Sequence, residues 1–274
     1  MTENLIPVAI AYDFDGTLSP GNMQEYDFIP KLGVSPRDFW EQASALAETN
    51  QMDTILAYMW RMIREANIKD ISVRKSDFHD FGKQIKLFPG VSDWFARINI
   101  YAHSKGIRLE HFIISSGIRE MIEATPIYPE FRKVYASAFM FDHNGVACWP
   151  ALAVNYTTKT QYLFRINKGS LDVHDNSVIN KFVPMEERPV PFENILFIGD
   201  GETDIPCMRL VKEQGGHAIA VYPPDKEGAQ AHARKLVEEG RATLFTPADY
   251  RQGKGIDLAV RAILDRIEAT SRIR

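Results

Sequence analysis

Pro7-Val8-Ala9-Ile10-Ala11-Tyr12-Asp13-Phe14-Asp15-Gly16-Thr17-Leu18 is the stretch that decides the fold. Pro7 to Ala11 are apolar without interruption, the pattern of a strand buried on both faces. Two carboxylates, Asp13 and Asp15, close the strand, and a glycine turn follows at once. In a doubly wound sheet, ligands bind at the carboxyl ends of the strands. Asp13 and Asp15 therefore read as a site rather than as packing.

Working outward, the same design of an apolar run ending in polar residues recurs. Leu109-Glu110-His111-Phe112-Ile113-Ile114 is strand-like and runs into Ser115-Ser116-Gly117, with a helix expected from Ile118 to Ala124. Ile195-Leu196-Phe197-Ile198 ends in Gly199-Asp200-Gly201-Glu202-Thr203-Asp204. Between these two, Val134–Phe141 and Val146–Trp149 flank Asp142-His143-Asn144-Gly145, a hairpin signal. Lys159 directly follows that hairpin and opens a helix over 160–166. Further strands over 217–222 and 242–245 alternate with helices over 206–213, 227–238 and 256–268. Alternation of this kind predicts a parallel sheet with crossovers.

The stretch from Ser19 to Lys86 differs. Ser35 and Pro36 start one helix, whose apolar positions Phe39, Trp40, Ala43, Leu46 and Ala47 recur at helical spacing. A second runs from about Asp53, with a wide apolar face that includes Met59, Trp60 and Met62. A third lies near 76–85, and no strand signal interrupts. The expected organisation is an α/β chain with a Rossmann-like parallel sheet core, residues 1–18 and 87–274, and a smaller α-helical cap domain, residues 19–86. The segment 169–193 is polar and proline-punctuated, an irregular excursion.

If the strands are neighbours, their tips put Asp13, Asp15, Asp200 and Asp204 on one rim. Two carboxylates about 4 Å apart repel by about 4 kcal/mol at an effective dielectric of ~20. Such a cluster takes up a cation or protons. Lys159 offsets one charge, although Lys168 and Lys181 lie nearer Asp200 in sequence. Oxygen ligands without histidine or cysteine point to Mg²⁺. The chemistry that suits them is attack of one carboxylate on phosphorus, with a second carboxylate as acid and base. Gly16 lets the backbone approach a phosphate closely.

These segments, in this order, resemble the four motifs of the haloacid dehalogenase-like superfamily of hydrolases, and the helical insert is similar to the cap of its phosphoserine phosphatase-like members. The resemblance implies roles. Asp13 would be nucleophile and metal ligand. Asp15 would be general acid and base, with its backbone carbonyl on the metal. Gly16, Thr17, Ser115, Ser116, Gly117 and Lys159 would bind the phosphoryl group. Asp200 would ligate Mg²⁺, and Asp204 would bind it through a water or orient Lys159. The implied activity is Mg²⁺-dependent hydrolysis of a small phosphorylated metabolite through an aspartyl phosphate. A phosphotransferase and a non-catalytic, metal-binding phospho-acceptor module are the alternatives. Glu25 is the nearest acid after the first motif. In the cap, Arg61, Arg64, Arg74 and Lys75 are candidates for substrate contact.

Composition bounds the partners. The 274 residues carry 36 acids and 32 bases, a formal net charge of -4, so no basic field exists for nonspecific binding to nucleic acid or membrane. The N-terminus shows no basic segment followed by an apolar core, and a cytoplasmic location is expected. Cys148 and Cys207 form no Cys-x-x-Cys and read as free thiols. The seven histidines show no ligand spacing. Oligomeric state is open.

Overall fold

The computed structural model describes residues 5–273, so residues 1–4 and 274 of the expected core lie outside the described residues. Its strands are β1 (Ile6–Tyr12), β2 (Ile107–Ile118), β3 (Lys133–Phe141), β4 (Ala147–Leu152), β5 (Ile195–Gly199), β6 (His217–Tyr222) and β7 (Leu244–Pro247). They form one seven-stranded sheet of order β4-β3-β2-β1-β5-β6-β7. Every neighbouring pair is parallel except β3 and β4, the predicted hairpin.

The register of β1 sets the site. Tyr12 pairs with Ile113 on one side and Ile198 on the other. Asp13, Ser115 and Asp200 therefore come off three adjacent strands at the same rim. β1 alternates as a doubly covered strand must: Val8, Ile10 and Tyr12 join the core on one face, Ala9 and Ala11 the core on the other. Helices α5 (Val91–Ser104) and α10 (Gly255–Ile273) contribute to the first face. Helices α7 (Lys159–Lys168), α8 (Ile205–Glu213) and α9 (Ala229–Glu238) cover the second. Each large apolar side chain so buried contributes about 1.5–3 kcal/mol.

Between β1 and α5 the chain is helical: a 3₁₀ turn (Met23–Glu25), then α1 (Phe28–Lys31), α2 (Pro36–Asn50), α3 (Thr54–Ile68) and α4 (Lys75–Gly82). Ser35 caps α2 by accepting from the Asp38 N–H at 3.0 Å. Asp53 caps α3, its Oδ1 accepting from the N–H groups of Ile55 and Leu56 at 2.9 and 3.0 Å. Met59 and Met62 are fully buried, whereas Trp60 is exposed. The apolar side chains of this insertion join the same core as Trp94 and Ile113.

One local reading changes. β2 runs through the serines to Ile118, and only Arg119–Ile122 (α6) is helical after it. The pairing with β3 slips between Ser115 and Ile118, which lets the strand bend at the rim instead of ending there. The excursion 169–193 has a fixed centre: the buried Arg165 guanidinium donates to the carbonyls of Ser170, Asp172, Val173 and Asp175 and to Asn176 Oδ1. Cys148 and Cys207 are free. No helix among the described residues is long and apolar enough to cross a membrane.

Under the rim lies a buried polar chain. Trp94 Nε1 donates to the Tyr12 hydroxyl at 2.9 Å, that hydroxyl meets His111 Nδ1 at 3.1 Å, and His111 Nε2 meets Asn99 Oδ1 at 2.9 Å. Burial pushes the His111 imidazole down to about 3, so the folded chain keeps it neutral while the unfolded chain protonates it below about 6.5. The stability it contributes is present above pH 6.5 and is lost as pH falls toward 3, by about 1.4 kcal/mol per pH unit. Urea denaturation at pH 7, 5.5 and 4.5 should show His111→Gln losing less stability toward acid than the native chain. Parallel slopes would sink the assignment.

Candidate active site

Asp13 takes its place because its own N–H continues the ladder, donating to the Ile198 carbonyl at 2.9 Å. Its Oδ1 accepts from the Phe14 N–H at 2.7 Å, and its Oδ2 lies 2.9 Å from Lys159 Nζ. Lys159 comes from the first residue of α7 and is fully buried. Its ammonium also donates to Asp204 Oδ1 at 2.7 Å. Burial opposes that charge, but the Asp13 and Asp204 carboxylates outweigh it and hold Lys159 above the ordinary lysine range. Lys168 stands elsewhere, its ammonium on the carbonyls of Ile179 and Lys181.

The chain turns away from Asp13 through Gly16, which sits at φ +75°. A Cβ there would lie 2.1 Å from an Asp200 carboxylate oxygen, so only glycine admits both the turn and the second carboxylate. Gly199 plays the same part for Asp204, whose Oδ2 would be 2.3 Å from an added Cβ. That Oδ2 accepts from the N–H groups of Asp200 and Gly201 at 3.1 and 3.4 Å. With Oδ1 on Lys159, both Asp204 oxygens are engaged.

Asp13, Asp200 and Asp204 each offer a carboxylate oxygen within 4.8 Å of the others. The Asp15 carboxyl stands outside that group. Its Oδ1 accepts from the Met23 N–H at 3.0 Å. Burial, then the Asp13 charge, holds the Asp15 carboxyl well above the usual carboxylate range. Asp200 is raised by burial and by the charges of Asp204 and Asp13, and Asp204 by burial and by Asp13. One ammonium does not satisfy this much negative charge, and the donors are all oxygen. The residues present therefore fit a hard divalent cation.

These groups open into a cavity of about 1040 Å³, whose lining includes Asp13, Asp15, Gly16, Ser115, Ser116, Gly117 and Asp200. Ser115 Oγ accepts from the Gly117 N–H at 3.1 Å. Ser116 Oγ is buried without a partner. Thr17 is not on the wall: its side chain is fully buried, because the turn at Gly16 carries the chain beneath the rim, where the Thr17 carbonyl accepts from the Tyr250 hydroxyl at 2.9 Å.

The basic residues singled out in the insertion are absent from the lining. Arg61 pairs with Gln42 and with Glu65, and Arg64 lies over the Trp60 ring. Arg74 donates to the Asn144 carbonyl, and Lys75 lies 3.6 Å from Glu123. The insertion instead presents Gln24, Trp40, Ser44, Thr54, Ile55 and Tyr58. No periodicity reveals these, because helical spacing does not say which flank of a helix faces a neighbouring rim. The loops after β6 and β7, with Lys226 and Arg251, also line the cavity. The strand-end rule that found Asp13 would have found them too.

Among the hydrogen bonds that join the insertion to this site, three tie it to the acid, the serines and the lysine turn. Met23 N–H reaches Asp15 at 3.0 Å, the Tyr58 hydroxyl donates to the Ser116 carbonyl at 2.5 Å, and Asn155 Nδ2 donates to Asp53 Oδ2 at 2.7 Å. Asn155 in turn builds the turn that starts α7: its carbonyl accepts from the Lys159 N–H at 2.9 Å.

Comparison with known proteins bears on the family and the fold. The sequence profile of the haloacid dehalogenase-like hydrolases matches residues 10–209. An uncharacterized protein of Borreliella burgdorferi is 30% identical over 281 residues, covering 92% of this chain and 93% of its own. Among solved structures, a HAD family hydrolase from Salmonella enterica serovar Typhi superposes with a TM-score of 0.59 at 18% identity, over 95% of this chain and 72% of that one. A phosphoserine phosphatase, solved as a phospho-aspartyl intermediate analogue, superposes with a TM-score of 0.58 at 12% identity, over 94% and 99%. At such identities these two are likenesses of fold.

Proposed function

The chain belongs to the haloacid dehalogenase-like hydrolases, and from that premise we propose that it is a Mg²⁺-dependent phosphomonoesterase working through an aspartyl phosphate on Asp13. One observation carries the reading. A carboxylate fixed between a backbone N–H and a buried ammonium stands two residues before a second buried carboxyl, anchored on the Met23 N–H and facing the same cavity, whose affinity for a proton burial raises. The first is a nucleophile held in place, and the second is suited to act as its acid and base.

An Asp13 carboxylate oxygen attacks phosphorus, and the bond from phosphorus to the ester oxygen breaks. The Asp15 proton goes to the departing oxygen. Asp15, now a carboxylate, takes a proton from a water that attacks the same phosphorus. The bond to Asp13 then breaks, releasing inorganic phosphate and restoring the carboxylate. Ser115, Ser116, the Gly117 N–H and Lys159 would hold the phosphoryl oxygens. Asp204 keeps the Lys159 ammonium aimed at Asp13. Mg²⁺, held by Asp13 and Asp200 with the Asp15 carbonyl, would supply positive charge against the phosphoryl oxygens.

Residues 19–86 would serve as a cap that excludes water from the cavity, on a core of 1–18 and 87–274. The substrate would be a small phosphorylated molecule. The long-lived phospho-acceptor alternative is disfavoured by Asp15, since a stable acyl phosphate has no use for an acid placed to activate water.

The test is phosphate release from p-nitrophenyl phosphate and a panel of phosphorylated metabolites, with Mg²⁺ and with chelator. Release that chelator removes and Mg²⁺ restores is expected. No release from any ester, in a protein whose melting temperature Mg²⁺ still raises, would overturn the reading in favour of a binding module.

A further inference from the structure

The cavity over Asp13 has two unlike walls. The sheet side carries the carboxylates. The insertion side carries Gln24, Trp40, Ser44, Thr54, Ile55 and Tyr58, and among the described residues no charged side chain from 19–86 lines it. Glu25 lies behind this wall, its Oε1 accepting from Trp40 Nε1 and Asn22 Nδ2, both at 2.7 Å. Its charge thereby fixes the indole. Trp40 meets Tyr58 edge to face at 5.6 Å, so the two rings form an apolar corner.

Gln24 is the telling residue. It is 2% exposed, lines the cavity, and its Oε1 is buried with no hydrogen-bond partner. A buried amide oxygen left unpaired is costly, and native structures rarely keep one without a reason. A carboxamide both donates and accepts and carries no charge, so it matches a neutral hydroxyl, carbonyl or amide. On the opposite rim, Arg251 is already paired with Asp249 at 2.9 Å, and Lys226 is exposed beside Asp225. That rim is solvated and of mixed sign.

Resting on the phosphatase reading above, we propose that the ester this site accepts is the monophosphate of an uncharged alcohol. The alcohol carries a hydrogen-bonding group for Gln24 and a flat apolar face for the Trp40 and Tyr58 corner. An amino-acid phosphate is the wrong class. Its ammonium and carboxylate would be desolvated against a wall with no counter-charge, and it would leave much of about 1040 Å³ unfilled. Sugar phosphates and nucleoside monophosphates share the required chemistry.

The test compares kcat/KM for Mg²⁺-dependent phosphate release from L-phosphoserine, glucose 6-phosphate, uridine 5′-monophosphate and p-nitrophenyl phosphate. One of the two neutral-alcohol esters should exceed phosphoserine by about tenfold or more, and which one does so separates a sugar from a nucleoside. Gln24→Leu should lower the ratio of that ester to p-nitrophenyl phosphate by about tenfold. Should Gln24→Leu fail to fold, Gln24→Met replaces it. Phosphoserine turned over as well as both neutral-alcohol esters, or better, overturns the proposal and leaves the phosphatase reading standing. An unchanged ratio in a folded variant also overturns it. No phosphate from any of the esters overturns the phosphatase reading itself, and the proposal with it.

Discussion

Asp13→Asn should abolish phosphate release, lowering kcat on the order of 10⁴-fold or more, the scale seen when a nucleophile is removed from a site whose groups act as a unit. The substitution is nearly isosteric. An amide oxygen can still accept from the Phe14 N–H, so the turn at 14–19 keeps its anchor. What goes is the negative charge facing Lys159 and the lone pairs that attack phosphorus. The same charge contributes to the upward displacement of Asp15, Asp200 and Asp204. Removing it relieves that repulsion but also takes one of two carboxylates from the buried Lys159 ammonium, so the two effects oppose each other and the variant should stay folded while activity vanishes. Phosphate release and circular dichroism on one preparation check both halves. A folded variant retaining more than about one per cent of native kcat would mean that water attacks directly, without the covalent intermediate that P–O transfer to a carboxylate requires.

Lys159→Met should damage both activity and stability. The ammonium is the cation shared by Asp13 and Asp204, and Lys159 and Asp204 are both fully buried. Taking one partner from a buried pair costs about 3–5 kcal/mol. Loss of charge stabilisation at the phosphoryl group should lower kcat by about 10²–10³. The pH dependence has a definite sign. Without the ammonium, which lowers it, the folded-state Asp204 carboxyl moves further up, so the folded variant binds a proton that the unfolded chain, ionising near 4, does not. The stability gap between native and variant is therefore widest at pH 8 and narrows as pH falls toward 5. Urea denaturation at those two values measures it, and a gap constant with pH would show that Lys159 serves only to fill space. Added Mg²⁺ should narrow the gap at pH 8 as well, by replacing part of the missing charge.

The parts of the site legible in the sequence are those that a period-2 pattern and a strand end define. Asp13, Ser115 and Asp200 each follow an apolar run at the end of a strand, and parallel pairing in register does the rest. Lys159 was legible only by its place in the order, and its competitor Lys168 turns out to clasp the excursion that follows α7. A helix is expected from Ile118 because Ser115-Ser116-Gly117, just before it, is good capping chemistry. Pairing with β3 instead carries the strand on to Ile118. The insertion was legible as helices, through Ser35, Pro36 and Asp53, but not as a surface. Arg61, Arg64, Arg74 and Lys75 drew attention by charge, and each has a partner away from the cavity. Gln24, Trp40 and Tyr58 carry no local mark. Their part follows from how two segments pack, which no single window of sequence contains.

The bond between Asp53 and Asn155 has a further consequence for timing. Asp53 caps the start of α3, and Asn155 sets the turn from which Lys159 projects. Met23 meanwhile touches the acid, and Tyr58 the phosphate-side serine. An insertion that lifts to admit or release a molecule breaks all three bonds together and slackens acid, serine and lysine in the same movement. On the proposed mechanism such an insertion would work as an interlock: opening would disarm the supports of Asp13, so an aspartyl phosphate would be made and consumed only in the closed interval, and bulk water would meet these groups when they are out of alignment.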